Sequence, residues 1–205
     1  MNNLKKLLVT GCTVTAFVAF SAAGAFALTI DTNPTWDGNT NFGWAGGSGQ
    51  SFTVDPIQTR LTDISFYFDA DSAGKTFDFF ISDALSGGTT FLSTSFNVTA
   101  GINTFGTNII FAPGSLIYAF FDYHGFSGRT ANYSNIDGYS GGQSFFQFNQ
   151  GGPWDTSYTS FDHRFIANFA APSAIPVPAA LPLLLTGLAG MGVLSRRRKS
   201  KKTAV

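Results

Sequence analysis

The residues able to do acid–base, nucleophilic or metal chemistry are few in this chain. All 12 acidic residues are Asp, since Glu does not occur, and the imidazoles are His124 and His163. Cys12 is the single thiol. Hydrolysis by paired carboxylates needs one of them to donate a proton near neutral pH; Asp can serve, so the lack of Glu only weakens that reading. There is no Gly-x-Ser-x-Gly elbow, and Gly46-Gly47-Ser48-Gly49 lacks its spacing. A zinc site would need both histidines and an Asp, and their spacing does not favour one. The plainer reading of each His is a surface residue at a strand end. Asp69-Ala70-Asp71-Ser72-Ala73-Gly74 places oxygen donors at alternate positions, as at the start of a calcium loop, but the Glu that closes an EF-hand loop is missing. An ordinary turn is expected there. Neither a metal nor another cofactor is assigned, and structural calcium has no support in the spacing.

Trp36, Trp44, Tyr139 and Trp154 lie among Gly, Asn and Asp rather than in apolar runs. Aromatic faces beside amides and carboxylates stack on sugar rings and hydrogen-bond their hydroxyls. These four are therefore candidate ligand-binding residues, with an extracellular polysaccharide as the candidate ligand. The competing reading is that they cap the ends of a sandwich.

Strands must position these side chains. Ile64, Phe66 and Phe68 alternate with Ser65, Tyr67 and Asp69; Phe77, Phe79 and Ile81 alternate with Asp78, Phe80 and Ser82; Leu116, Tyr118 and Phe120 alternate with Ile117, Ala119 and Phe121. The last two segments are apolar on both faces, as in central strands covered on each side. Further strands are expected at 50–54, 90–98, 105–111, 144–149 and 164–169, separated by turns such as Ser86-Gly87-Gly88 and Pro113-Gly114. With no amphipathic helix between residues 28 and 169, the expected fold is all-β: an antiparallel two-sheet β-sandwich, jelly-roll-like.

Charge is segregated along the chain. Arg60, Lys75, Arg129 and Arg164 are the only basic residues of the central body, against 12 Asp, so the body is acidic and nucleic acid is not an expected partner. Lys5 and Lys6 open the chain, followed by an apolar run to Phe20 and the small-x-small site Ala25-Phe26-Ala27. That pattern predicts a secretory signal peptide over 1–27, cleaved to leave Leu28. Removal takes Cys12 with it, leaving a body without thiol or disulfide. After the sandwich domain (28–170) and an Ala/Pro linker (171–178), residues 179–194 are nearly all apolar and residues 195–205 are basic. As a helix the apolar stretch would be ~24 Å long, short for a ~30 Å hydrocarbon core but extended by snorkelling arginines. The basic end stays cytoplasmic under the positive-inside rule. The expectation is a single transmembrane helix in the inner membrane, with the body exported across it.

The run Val177-Pro178-Ala179-Ala180-Leu181-Pro182, the apolar helix and Arg196-Arg197-Arg198 together resemble the PEP-CTERM sorting signal of Gram-negative bacteria. The resemblance covers about the last 30 residues, and Val177 stands between Pro176 and Pro178 where that family usually has Glu. It implies processing by an exosortase-type enzyme and a final place in the cell envelope, at the cell surface or in the extracellular matrix. Pro113-Gly114, Tyr139-Ser140-Gly141-Gly142, Gly151-Gly152-Pro153-Trp154 and Asp162-His163-Arg164-Phe165 follow the order of parts of a jelly-roll module common in secreted bacterial proteins. That resemblance implies a binding or structural module.

The combined expectation is an exported, non-enzymatic surface or extracellular-matrix protein that binds polysaccharide. The alternatives are a secreted Asp-dependent glycan-active enzyme and a self-assembling structural surface protein. Intact mass spectrometry of the protein taken from membrane and from medium is expected to give a chain beginning at Leu28; an intact Met1 in both fractions contradicts the leader.

Overall fold

Phe and Ile alternating with small polar residues give strands with one apolar face, and the Gly-rich punctuation turns each back on its neighbour. The computed structural model describes residues 27–42 and 46–172. Its strands are β1 (Ala27–Asp31), β2 (Thr40–Phe42), β3 (Gly47–Thr53), β4 (Arg60–Phe68), β5 (Thr76–Ser82), β6 (Thr90–Asn97), β7 (Gly101–Ile110), β8 (Leu116–Asp122), β9 (Arg129–Ser134), β10 (Ser144–Gln147), β11 (Asp162–His163) and β12 (Phe165–Ala170). Short 3-10 turns occur at Asn33–Thr35 and Ala70–Ser72. Every strand pairing among the described residues is antiparallel.

The strands form two sheets. One is ordered β1-β12-β4-β9-β11, with β7 also on β4 and β2 on β9; the other is ordered β10-β3-β8-β5-β6. Successive strands pass repeatedly from one sheet to the other, which is the two-sheet antiparallel sandwich expected from the alternation. The sheets are extended by β1, β2, β9 and β11, which the sequence pattern did not reveal. The β9 strand reads Arg-Thr-Ala-Asn-Tyr-Ser and has no apolar row. Its pairing with β2, β4 and β11 holds it in the sheet instead. The first strand begins at Ala27, one residue inside the expected leader, and Ala27 pairs with Ala170. The signal cleavage residue Ala25, Trp44, the linker from residue 173 onward and the whole sorting segment lie outside the described residues. Among the described residues no helix is long and apolar enough to cross a membrane.

The core is largely phenylalanine. Phe66, Phe77, Phe79, Phe121 and Phe165 are completely buried. Phe121 sits at the centre of the ring contacts, with Phe66 at 4.9 Å, Phe68 at 5.0 Å and Phe79 at 5.0 Å between centroids. The contacts with Phe66 and Phe68 are edge-to-face, the arrangement that the ring quadrupole favours. This dense ring packing stabilises a domain without disulfides through apolar burial. The Asp69 side chain accepts from the Asp71 backbone N–H at 3.0 Å and Gly74 takes φ +75°. Residues Ala70–Ser72 thus form a short 3-10 turn between β4 and β5, where the sequence suggested a turn.

Phe121→Ala removes the shared partner of these rings, so a loss of about 3–5 kcal/mol is expected, read as a lowered denaturation midpoint at unchanged slope.

Candidate functional site

The apolar outer row of β5 and β8 is the first unusual feature. Cross-strand pairs Asp78–Asp122, Phe80–Phe120 and Ser82–Tyr118 follow one another along these two strands. At ~3.4 Å per residue they span about 14 Å. Phe80 and Phe120 are half-buried and stacked, with centroids 5.2 Å apart at 21°. Trp154, from the segment between β10 and β11, meets Phe120 and Phe145 edge-on at 5.3 Å each. The neighbouring strand β3 has glycine where these rings lie. A Cβ on Gly49 would come within 2.6 Å of the Phe145 ring, and one on Gly47 within 3.0 Å of the Trp154 ring. Both would first meet β8 backbone, at the Ala119 and Phe121 carbonyl oxygens respectively, so the glycines allow the close approach of that backbone as well as of the rings.

At the Tyr118 end this strip opens into a groove of about 430 Å³ lined by Ser51, Tyr118, Gln143, Phe145, Thr156 and Thr159. Its walls are tied together: the Gln143 side-chain amide donates to the Thr156 carbonyl at 2.6 Å, and the Gln143 backbone N–H donates to Ser51 Oγ at 3.0 Å. At the other end His124 lies between the two carboxylates, its Nε2 3.2 Å from Asp78 and its Nδ1 3.7 Å from Asp122. His124 thus bridges the two carboxylates that the strand register sets opposite each other. Ser95 Oγ donates to Asp78. Aromatic rings flanked by carboxylates at one end and by hydroxyls and amides at the other can hold an amphipathic, hydroxyl-rich ligand.

A second polar group lies inside the sandwich. His163 is completely buried, which corrects its expected surface position. Its Nε2 is 2.8 Å from Ser48 Oγ and its Nδ1 2.7 Å from Ser144 Oγ. Ser144 donates to Gln50 Oε1 at 3.2 Å, so it must accept from His163 Nδ1–H. Nε2 is then the acceptor for the Ser48 hydroxyl, which in turn accepts from the Tyr123 hydroxyl. The Gln50 amide donates to Asp162 Oδ1 at 2.7 Å, and the other oxygen of Asp162 accepts the Gly138 and Tyr139 N–H groups at 2.8 Å each. Burial lowers the His163 pKa to about 3 and raises that of Asp162 against the pull of its hydrogen bonds. A Ser–His contact of this length has the geometry of a nucleophile and its base. Here no substrate can reach it, and the second ring nitrogen meets a serine rather than a carboxylate.

Of the four aromatic candidates, Trp44 lies outside the described residues, and the other three do not converge. Trp154 belongs to the outer strip. Tyr139 is at an end of the sandwich, its hydroxyl donating to the Thr53 carbonyl at 3.1 Å, and burial raises its pKa. Trp36 is covered on one face by the Arg164 guanidinium, 4.0 Å from the ring centroid. The sequence reading missed Phe80, Tyr118 and Phe120 as candidates, although the double-sided apolar pattern of β5 and β8 was their signal. Among the described residues no group of three or more His, Cys or Asp is arranged to hold a metal ion.

No family model matches this chain. No curated protein matches it either. Among solved structures, it is similar to the clostridial cysteine protease Cwp84 after propeptide cleavage, with 13% identity and a TM-score of 0.50 over 71% of this chain. A second structure, of the cysteine protease and lectin-like domains of the surface-layer-associated Cwp84 of Clostridium difficile, has 14% identity and a TM-score of 0.43 over 62% of this chain. The chain spans 40% and 33% of the lengths of those two structures. At such identity the likeness is one of fold. It nevertheless corrects the expectation of a non-enzymatic matrix protein. The sandwich architecture occurs within a chain described as a protease, so the fold gives no ground for calling the whole protein non-enzymatic.

Acid sensitivity follows from His163. With an unfolded pKa of about 6.5 and a folded value of about 3, its contribution is complete above pH ~6.5 and is lost as pH falls toward 3, by at most about 1.4 kcal/mol per unit. The raised pKa of Asp162 acts with the opposite sign, because the fold takes up that proton more readily. Melting curves from pH 7 to 4 are expected to show a falling Tm, and His163→Gln is expected to melt lower at pH 7 but with a flatter pH profile.

Proposed function

We propose that this chain is an exported bacterial cell-surface protein whose jelly-roll-like sandwich recognises a saccharide along the outer face of the β10-β3-β8-β5-β6 sheet. The observation that carries this reading is the strip from Asp78 and Asp122, across Phe80, Phe120 and Trp154, to the Tyr118 groove. Sugar rings present apolar faces for stacking and a rim of hydroxyls for hydrogen bonding, and the strip offers both kinds of partner in line. The jelly-roll description is supported by strand order. Strands β1, β12, β4 and β7 lie together in one sheet, β3, β8, β5 and β6 in the other, and β9 to β11 form an insertion before the last strand.

Export and sorting are proposed from the two ends of the sequence. The leader up to Ala27 directs secretion. The segment Val177 to Pro182, with Arg196 to Arg198, holds the chain in the inner membrane for an exosortase-type enzyme. A second reading, glycan cleavage, is favoured by one observation: Asp78 and Asp122 face each other across neighbouring strands beside the aromatic strip.

The chain isolated from the cell envelope is expected to bind a polysaccharide of the producing cell's own surface, and Phe120→Ala or Trp154→Ala to weaken binding at least about tenfold, or ~1.4 kcal/mol. Wild-type affinity in both variants contradicts the outer-face site. Release of reducing ends, abolished by Asp78→Asn or Asp122→Asn with binding retained, would select the second reading.

A further inference from the structure

Arg164 is a tightly held cation of the acidic body. Its guanidinium lies between two aromatic rings, 4.0 Å from the centroid of Trp36 and 3.9 Å from that of Tyr67. Its Nε donates to Asn33 Oδ1 at 2.7 Å. Asn33 is itself held, its backbone N–H donating to Asp31 Oδ1 at 2.9 Å, and Trp36 is fixed by its indole N–H donating to the Asn39 carbonyl at 2.9 Å. The backbone of Arg164 is anchored on both sides, its N–H to Asn132 and its carbonyl to Tyr67. Plane, rotation and position are thus all set. Tyr67 lies between the inward-facing Phe66 and Phe68 along β4, so this assembly is on the outer face of the sheet opposite the aromatic strip.

Among the described residues neither terminal amine of Arg164 has a protein acceptor, and no carboxylate forms an ion pair with it. Asp31 and Asp37, the acidic residues of the adjoining segment, cap backbone N–H groups instead. A guanidinium whose faces are covered by rings and whose Nε is occupied has one edge left. That edge carries two parallel N–H groups spaced for the two oxygens of a planar carboxylate. A guanidinium needed only to pin the 33–36 turn to β4 would be served by the two stacking contacts and the Asn33 bond. It would not require the open edge.

We propose that Arg164 forms a second binding site, which takes the carboxylate of a uronate residue of an acidic saccharide end-on against its two terminal amines. The saccharide part rests on the reading given under Proposed function; the selectivity for a carboxylate rests on Arg164 alone. Trp36 and Tyr67 set the guanidinium plane, and Asn33 sets its rotation.

Nuclear magnetic resonance of the full-length chain tests this with two built-in reporters, the indole N–H of Trp36 for this site and that of Trp154 for the outer strip. Titration with a uronate oligosaccharide is expected to shift the Trp36 signal saturably, while a neutral oligosaccharide of the same length does not. Arg164→Lys keeps the charge and loses the fork, and is expected to weaken uronate binding, read at the Trp36 signal, at least tenfold. A Trp36 signal unmoved by uronate in the wild type, equal response to the neutral sugar, or unchanged affinity in Arg164→Lys overturns the proposal. A peptide C-terminal carboxylate that moves Trp36 where uronate does not overturns the saccharide assignment. Movement of Trp36 with Trp154 silent to every sugar supports this site and removes the outer-face one, and the converse removes this site alone.

Discussion

A directed chain of hydrogen bonds from Tyr123 to Asp162 holds the two sheets and their long insertion in one arrangement. It begins at the hydroxyl just beyond β8, passes through Ser48 on β3, the His163 ring on β11, Ser144 on β10 and Gln50 on β3, and ends on the Asp162 carboxylate. Each group in it has one orientation, because Asp162 accepts and so fixes the Gln50 amide, which fixes Ser144, which fixes the His163 tautomer. In a low-dielectric interior such a chain stabilises only when every member is satisfied. Removing one link leaves a buried donor or acceptor without a partner, at about 1–3 kcal/mol. The segment carrying Trp154 is strung between β10 and β11, so the same chain that fills the interior holds both ends of the loop that supplies the outer strip. Asp162 extends the effect to the 138–139 turn through two backbone N–H groups.

Aromatic residues serve two purposes, separated by strand parity. Phe77, Phe79, Phe121 and Ala119 point inward and make a dry core. Phe80, Tyr118 and Phe120 point outward on the same strands and remain half-buried. A domain needs the first set to fold without disulfides, whereas the second contributes less to folding than its area suggests, since water still reaches it. Strands apolar on both faces are ordinarily covered on both sides. Here the outer cover is partial and is supplied by Trp154, which lies against Phe120 and Phe145.

The strands with a clean period-two pattern were legible in the sequence because each buries one face, and burial imposes the period. That is why β4, β5 and β8 are found almost where the alternation places them, and why the all-β two-sheet class followed. Strands β2, β9 and β11 are short or polar and owe their conformation to neighbours far along the chain, so no local pattern marks them. His163 was illegible for the same reason. Asp-His-Arg-Phe reads as a polar strand end, and its burial depends on Ser48, 115 residues away. Trp36 and Trp154 look alike in sequence, each among Gly, Pro, Asn and Asp. Only the fold shows that one is covered by a guanidinium while the other lies against phenylalanine rings.

The two outer faces differ in charge as well as in ring chemistry. On one sheet the aromatic strip ends at Asp78 and Asp122, which repel an anionic polymer and suit neutral hydroxyls. On the other, Arg164 offers a fixed positive edge. In a body with four basic residues against 12 Asp, the mean field opposes polyanions at any distance where salt leaves it unscreened. A flexible lysine would gain little against that field. A guanidinium already held by two rings and an amide loses little further freedom on binding, so its hydrogen bonds count almost in full toward affinity. Rigidity at Arg164 thus does what net charge does in a basic protein, at a single point and with a geometry that distinguishes a carboxylate from a hydroxyl.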